Sequence, residues 1–394
     1  MPATGPTGVG LKDTTLRLIH TADWQIGKVF RFVDDATMSL LQEARLEAIA
    51  TIGGLAQAHG ALTVLVAGDL YDHDGLSDRT LFQPIERMRA LDAVTWHVIP
   101  GNHDADRPNG LWDRVARHGL PANVRLHRAP EPCPLAQDAH GEAGAWLLPA
   151  PLQRRQTLAD PTLWMNEATT PDGTLRIGLA HGSVTRFGAA DRSQGNYVDP
   201  ARPKAARLDY LALGDWHGQR EIGKRCWYAG TPEPDDFDQQ EGAVLLVEIA
   251  GPGAAPSVQP LPTARHRWLR ERETLHGAAD VAVLDQRIRG LAPDPARLLV
   301  DLVVEGTLSL ADRALFAQRI DRSLRAALCH LRLDDARLYL APSPHDLDAI
   351  ARTGFVRAAA ARLKDLADER ADPEREIAAE ALMRLFLEHQ KLAS

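Results

Sequence analysis

In the first two-thirds of the chain, apolar residues come in short runs rich in branched side chains. Each run stops abruptly at Asp, His, Asn or Gly. Leu16–Ile19 runs into His20-Thr21-Ala22-Asp23, and Leu62–Ala67 runs into Gly68-Asp69. Thr95–Ile99 runs into Pro100-Gly101-Asn102-His103-Asp104, and Leu175–Ala180 runs into His181-Gly182. Tyr210–Leu213 runs into Gly214-Asp215-Trp216-His217-Gly218. Apolar runs of this length bounded by glycine predict buried strands. Between them, residues 36–58 carry Leu40, Leu41, Ala44, Ile49 and Ile52 at near-helical spacing, and residues 79–91 carry Leu81, Ile85, Met88 and Leu91. Alternating strands and helices predict an α/β layered fold. Functional sites in such sheets gather at the carboxyl ends of the strands, so the five polar clusters should converge.

Residues 226–249 predict two further strands around Gly230-Thr231-Pro232-Glu233-Pro234. The turn Gly251–Pro256 then reads as a hairpin into Ser257–Pro260. The pattern shifts near residue 270. From Asp280 it predicts a helix, a strand over Leu298–Val304, a second helix and a strand over Ala336–Leu340. Ser309 stands as the N-cap of that second helix, with Leu315, Phe316, Ile320 and Leu324 on one face. Two terminal helices follow. The last starts at Asp372-Pro373-Glu374 as N-cap, N1 proline and acidic first turn, and carries Ile377, Ala381, Leu382, Leu385 and Phe386. The expected organisation is a disordered lead-in over 1–13, a catalytic domain over 14–270, an α+β cap over 271–345 and C-terminal helices over 346–394.

Composition narrows the class. With 44% hydrophobic and 25% charged residues, the 394-residue chain can bury an ordinary core, which excludes a largely disordered chain. No apolar run approaches the ~18 residues that would span a bilayer, and the N-terminus lacks a secretory pattern, so a cytoplasmic protein without a membrane partner is expected. Cys133, Cys226 and Cys329 form no CxxC, which argues against a disulfide framework or zinc knuckle. A net charge of -8 speaks against a surface coated for nucleic acid but leaves room for a local basic groove.

The clusters supply a metal-ligand set. Asp23, Asp69 and Asp215 offer anionic oxygens, Asn102 and Gln25 neutral carbonyls, and His181 and His217 imidazoles. Two divalent ions ~3.5–4 Å apart can activate a water and clamp a phosphate for in-line attack. Such a pair needs a bridging carboxylate and terminal ligands for each ion, and these residues match that demand.

In order, Asp-x-Gln, Gly-Asp-x-x-Asp, Gly-Asn-His-Asp, His-Gly and Gly-Asp-x-His resemble the calcineurin-like metallophosphoesterase superfamily. Within it, His20–Asp23 with Ile26-Gly27, the stretch Val66–Asp72 and Tyr228–Glu233 are similar to the SbcD-type DNA repair exonucleases. The resemblance covers about residues 16–270. It implies a four-layer β-sandwich flanked by helices, with a small α+β cap and C-terminal helices. It implies that Asp23 and His217 bind a first ion, that Asp69 bridges, and that Asn102 and His181 bind the second. His103 would act on the leaving group, with Asp104 orienting it, and Asp72 would hold its loop. Two positions depart from the family pattern. Gln25 stands where a histidine is common and weakens the first site. Asp215 also stands where a histidine is common; it adds a negative charge and shifts preference toward manganese, with magnesium possible, over zinc.

The expected function is therefore metal-dependent phosphodiester hydrolysis, directed at DNA ends. Alternatives are a small-molecule phosphodiesterase or nucleotide pyrophosphatase, and an inactive scaffold subunit of a DNA-bound ATPase complex. Lys28, Arg31 and Arg107 are candidate phosphate contacts, and Trp24 and Trp216 candidate base-stacking residues. Arg186, Arg192, Arg202, Lys204 and Arg207, and the basic run Arg265, Arg267, Arg270 and Arg272, are further candidates to track a DNA backbone. By resemblance the partners are DNA, a second copy of the chain through the helix near 79–91, and an SbcC-like coiled-coil ATPase on the terminal helices.

Overall fold

The computed structural model describes residues 15–137, 143–184, 195–239, 241–341, 346, 348, 350, 353–368 and 374–393. The expected lead-in, the helix cap at Asp372, and Arg186 and Arg192 lie outside these residues. The described chain divides into two compact units. One runs to Asp235 and includes Gln239–Arg265; the other comprises Asp236–Asp238 and the chain from His266.

The first unit contains β1 (Leu16–Thr21), β2 (Thr63–Val66), β3 (Thr95–Val98), β4 (Val124–Leu126), β5 (Cys133–Gln137), β6 (Ala143–Ala150), β7 (Leu175–His181), β8 (Tyr210–Gly214), β9 (Arg220–Gly223), β10 (Cys226–Tyr228), β11 (Ala243–Ile249) and β12 (Ser257–Pro262). They form two six-stranded sheets, β12-β11-β1-β2-β3-β4 and β5-β6-β7-β8-β10-β9. β1, β2, β3 and β4 run parallel, as do β6, β7 and β8. The five expected strands are therefore all present. The turn after Ile249 is a hairpin, with β11 and β12 antiparallel.

Side-chain alternation explains why these strands read as apolar throughout. Ile19, Val64, Val66, Trp96 and Val98 face a core shared with helices α1 (Asp35–Ala58), α2 (Asp78–Arg89) and α3 (Leu111–His118). Leu18, Leu65 and Ala67 point the other way, onto Leu147, Ile177, Leu179, Tyr210 and Ala212 of the second sheet. The outer face of that sheet is covered by Met165, Val198, Ala206 and Leu208, the last two just after the short helix α4 (Arg202–Ala205). A strand buried on both faces cannot alternate polar with apolar, so it reads as a continuous run. This is the four-layer α/β sandwich that the resemblance implies.

The stripe expected on α2 is present, but Leu81, Ile85 and Met88 are buried in the unit's own core. These three side chains are used in packing the chain on itself and are not left for a second copy. His20, at which the first apolar run stops, is the fifth residue of β1. Its Nδ1 lies 2.9 Å from Tyr210 Oη and its Nε2 3.1 Å from the Leu213 carbonyl, so it stitches the two sheets together, and burial pushes it down to about 3.

The second unit holds a parallel sheet, β13 (Arg267–Leu275), β14 (Leu298–Leu308) and β15 (His330–Leu340), in that order. Helix α5 (Ala278–Arg289) and helix α6 (Leu310–Phe316), continued through Ala317–Leu324 and α7 (Arg325–Ala327), supply Val281, Leu284, Phe316, Ile320 and Leu324 to its core. Ser309 caps α6, accepting the Asp312 N–H at 3.1 Å. Two more helices, α8 (Gly354–Asp368) and α9 (Arg375–Ala393), follow. Among the described residues no helix is long and apolar enough to cross a membrane.

β13 was not expected, because its sequence reads as a basic run. Two of its arginines are engaged within the unit: Arg270 pairs with Asp301 at 3.1 Å and with Asp238, and Arg267 donates to the Leu291 carbonyl at 2.5 Å. Arg267, Arg270 and Arg272 thus lie on β13, Arg267 on the face opposite Arg270 and Arg272, and Arg265 precedes the strand.

Candidate metal centre

Parallel neighbours end at the same edge of a sheet, so the loops after β1, β2 and β3 meet those after β7 and β8. Backbone bonds tie them together: Asp23 N–H donates to Gly68 O at 3.1 Å, Gln25 N–H to Asp69 O at 3.0 Å, and Gly182 N–H to Gly214 O at 3.2 Å. The approach is close enough to demand glycine. A Cβ at Gly101 would sit 2.2 Å from Asp69 Oδ1, and one at Gly214 would sit 2.0 Å from the Ala67 carbonyl. Asp23, Gln25, Asp69 and Asp215 all have φ between 46° and 101°. Left-handed backbone is costly for residues with a Cβ and concentrates at functional sites, where surrounding structure holds it.

One ligand atom each from Asp23, Asp69 and His181 lie within 4.8 Å of one another, and all three residues are buried. The His181 Nδ1–H donates to the Ala67 carbonyl at 2.8 Å, which turns Nε2 toward the acids. That nitrogen is 3.2 Å from Asn102 Oδ1, 3.5 Å from Asp69 Oδ1 and 3.7 Å from Asp215 Oδ1. Asn102 Nδ2 reaches Asp215 Oδ1 at 3.4 Å, and both Asp23 carboxylate oxygens accept from the Asp215 N–H at 3.1 and 3.2 Å.

Burial alone would lower His181, but the carboxylates of Asp69, Asp23 and Asp215 push it up to about 9. Burial pushes Asp23 up to about 6, with His217 and His181 opposing and Asp69 and Asp215 adding. A field that draws a proton onto a buried imidazole is also a field that holds a divalent cation. Hard oxygens with one imidazole, its second nitrogen fixed by a backbone carbonyl, fit such an ion.

The remaining expected residues fall into place unevenly. The His103 N–H donates to Asp69 Oδ1 at 2.9 Å, and its Nδ1 pairs with the Asp72 carbonyl at 2.8 Å. Asp104 does not orient His103, contrary to expectation. Its fully buried carboxylate accepts the Gly101 N–H at 2.6 Å and the Tyr71 N–H at 3.1 Å, locking the second loop to the third. Burial, with Asp69 adding, pushes it up to about 8. Replacing Asp104 with Ala should cost about 2–5 kcal/mol of stability, because two buried N–H groups lose their acceptor. Urea unfolding checks this; a loss under about 1 kcal/mol would return Asp104 to a purely catalytic role.

Trp24 is 1% exposed, donates to Thr21 Oγ1 at 2.9 Å and packs edge-on against Trp96, so it is a core residue and not a stacking platform. Trp216 is 44% exposed and lies under the Arg220 guanidinium, 5.8 Å from the ring centre. Arg31 is exposed, and Arg107 is half-exposed beside Asp74 at 3.2 Å. Arg202 is buried against Asp160, Thr162 and Asn166, which makes it structural. A cavity of about 610 Å³ has Lys204, Arg207 and Lys224 in its wall. It lies at the opposite ends of β7 and β8, away from Asp23, Asp69 and His181.

Two residues were missed. Asp235 lies in the loop between β10 and β11 and contacts His217 Nδ1 at 3.1 Å and Lys28 Nζ at 2.6 Å. Arg45 sits inside α1, 2% exposed, 3.5 Å from Asp235, and donates to the Trp24 carbonyl at 2.9 Å. Burial would raise Asp235, but the His217 hydrogen bond with Arg45 and Lys28 holds it well below the usual carboxylate range. An arginine in the apolar stripe of α1, between Ala44 and Ile49, was the signal available in the sequence.

The sequence signature of the Calcineurin-like phosphoesterase family matches residues 16–219, more than half of the chain. A curated protein of Rhodobacter capsulatus, the D subunit of the nuclease SbcCD, is 28% identical over 292 residues, 63% of this chain and 69% of its own length. Its namesake in Escherichia coli K12 is 26% identical over 259 residues, 57% of this chain and 62% of its own length. The matched segment thus spans about two-thirds of these relatives. Among solved structures, TT1561 of Thermus thermophilus is 14% identical, with a TM-score of 0.39, over 63% of this chain and 99% of that one.

Proposed function

The chain belongs to the calcineurin-like phosphoesterase family, and from that membership we propose that it is a metal-dependent phosphodiesterase acting on DNA ends. The observation that carries the hydrolytic part is the buried group of Asp23, Asp69 and His181 with His103 hydrogen-bonded to Asp69. Asp23, Asp69 and His181 would hold a divalent ion, with Asn102 and Asp215 beside them. Such an ion, when bound, polarises a phosphoryl oxygen and lowers the pKa of a water. Manganese or magnesium suits a set with this many hard oxygens better than zinc.

The chain's own groups do the rest. The Asp72 carbonyl accepts the His103 Nδ1–H and fixes the ring, so that the imidazolium form carries an Nε2–H to give to the departing oxygen, and the ring is left neutral. Arg31 and Arg107 supply charge for flanking phosphates, and the exposed face of Trp216 suits an unpaired base. DNA ends as substrate are supported by the two relatives named as nuclease subunits.

The test incubates the protein with manganese and end-labelled linear duplex, closed circular DNA and bis-p-nitrophenyl phosphate. The linear duplex should be lost fastest, and its binding should fall roughly 10–40-fold between about 50 and 200 mM salt, as two or three phosphate contacts are screened. Cleavage of the small ester alone, or a flat salt response, would sink the DNA assignment. The names of these relatives also support an SbcC-like ATPase as partner. Co-elution with a coiled-coil ATPase from a neighbouring gene is expected, and independent elution at micromolar concentration would remove it.

A further inference from the structure

The half of the centre formed by Gln25 and His217 differs from the half formed by Asp69 and His181. Four side chains close a ring there. Lys28 Nζ is 2.9 Å from Gln25 Oε1, Gln25 Nε2 is 3.1 Å from His217 Nε2, His217 Nδ1 is 3.1 Å from Asp235 Oδ1, and Asp235 Oδ2 is 2.6 Å from Lys28 Nζ. Donor chemistry assigns every edge. An ammonium only donates, so the Gln25 atom facing it is the carbonyl oxygen. The amide nitrogen therefore faces His217 and donates, which makes Nε2 the lone-pair nitrogen. The ring proton then sits on Nδ1 and goes to Asp235.

Both atoms that Gln25 and His217 could offer an ion are thus already engaged. Charge points the same way. Lys28 and Arg45 flank Asp235, so two cations face one carboxylate there, and the Asp23 carboxylate is the further anion that acts on His217. A second divalent ion would have to break two hydrogen bonds and sit beside an ammonium. Asp23, by contrast, groups with Asp69 and His181.

We infer that this chain takes up one divalent ion, at Asp23, Asp69 and His181, and that the Lys28 ammonium, seated in the ring of Gln25, His217 and Asp235, supplies the fixed positive charge of the other half. The inference rests on the reading of the centre as a metal site. In that role Lys28 would meet a phosphate oxygen of the substrate, where a cation stabilises developing charge.

Manganese titration followed by calorimetry and electron paramagnetic resonance tests it on the full chain. The unaltered protein should bind one manganese per chain and give the hyperfine pattern of an isolated ion. Lys28→Met keeps the aliphatic stem without the charge. Paired with Gln25→His, it should admit a second manganese and produce an exchange-coupled spectrum. Two coupled ions in the unaltered protein would overturn the inference while leaving the hydrolytic reading standing. A variant that still binds one ion would overturn the role of the ring. No bound manganese together with no hydrolysis would remove both readings. Should the double variant fail to fold, the stoichiometry and spectrum of the unaltered protein decide alone.

Discussion

Replacing Asp69 with Asn is expected to remove hydrolysis and most of the metal affinity together. Asp69 belongs to the trio whose ligand atoms lie within 4.8 Å, and its Oδ1 also anchors the His103 backbone. Even partners one step removed from a metal cost roughly 10–100-fold in affinity when lost, so a group in direct contact should exceed that. Asparagine is the informative choice because Asp69 has φ of 52°, a conformation asparagine tolerates and most residues do not. The carbonyl oxygen of the amide can still accept from the His103 N–H, so the loop should keep its shape while one negative charge disappears. Manganese titration and circular dichroism on the same sample separate the effects. Near-unchanged affinity in a folded variant would move the metal away from Asp69.

The His103→Ala variant should behave differently. Its hydrolysis rate at saturating manganese is expected to fall by on the order of 10²–10⁴, the range for loss of a general acid. Bound manganese should not change. The reason is structural: Asp69 is held by the backbone N–H of residue 103, which alanine retains, while the proton donor is lost with the ring. A leaving group that departs without protonation, such as p-nitrophenolate, should lose less rate than a DNA alkoxide. Equal rates on both substrates in the variant and the parent would end the assignment of His103 as acid. Loss of metal in step with activity would make it a ligand instead.

Much of this was legible in the chain itself. Apolar runs ending in Asp, Asn or His marked five strands and their loops, because a parallel strand buried on both faces cannot hide among polar residues. Asp23, Asp69, Asn102, His181 and Asp215 stood out for the same reason: a polar group set directly after a buried strand must lie at the sheet's edge. The strands β4, β5, β6, β9 and β13 were missed. They are short, exposed on one side or interrupted by proline and glycine, so their pattern is weak. Among the basic residues, Arg202 misled. An arginine reads the same in sequence whether it faces solvent or, like Arg202, is 3% exposed among Asp160, Thr162 and Asn166.

What the sequence determined by itself is the order of elements and the donor types available at each strand end, since both follow from local patterning and side-chain chemistry. Which of those donors stay available was set by packing in three dimensions. Asp104 leaves His103 for two backbone N–H groups, and Trp24 turns into the core. Gln25 and His217 close a ring with Lys28 and Asp235, side chains drawn from the first and the tenth strand's loops. Hydrogen bonds form between atoms within about 3 Å in space, whatever their separation in sequence, and a buried polar group takes the partner that packing brings to it.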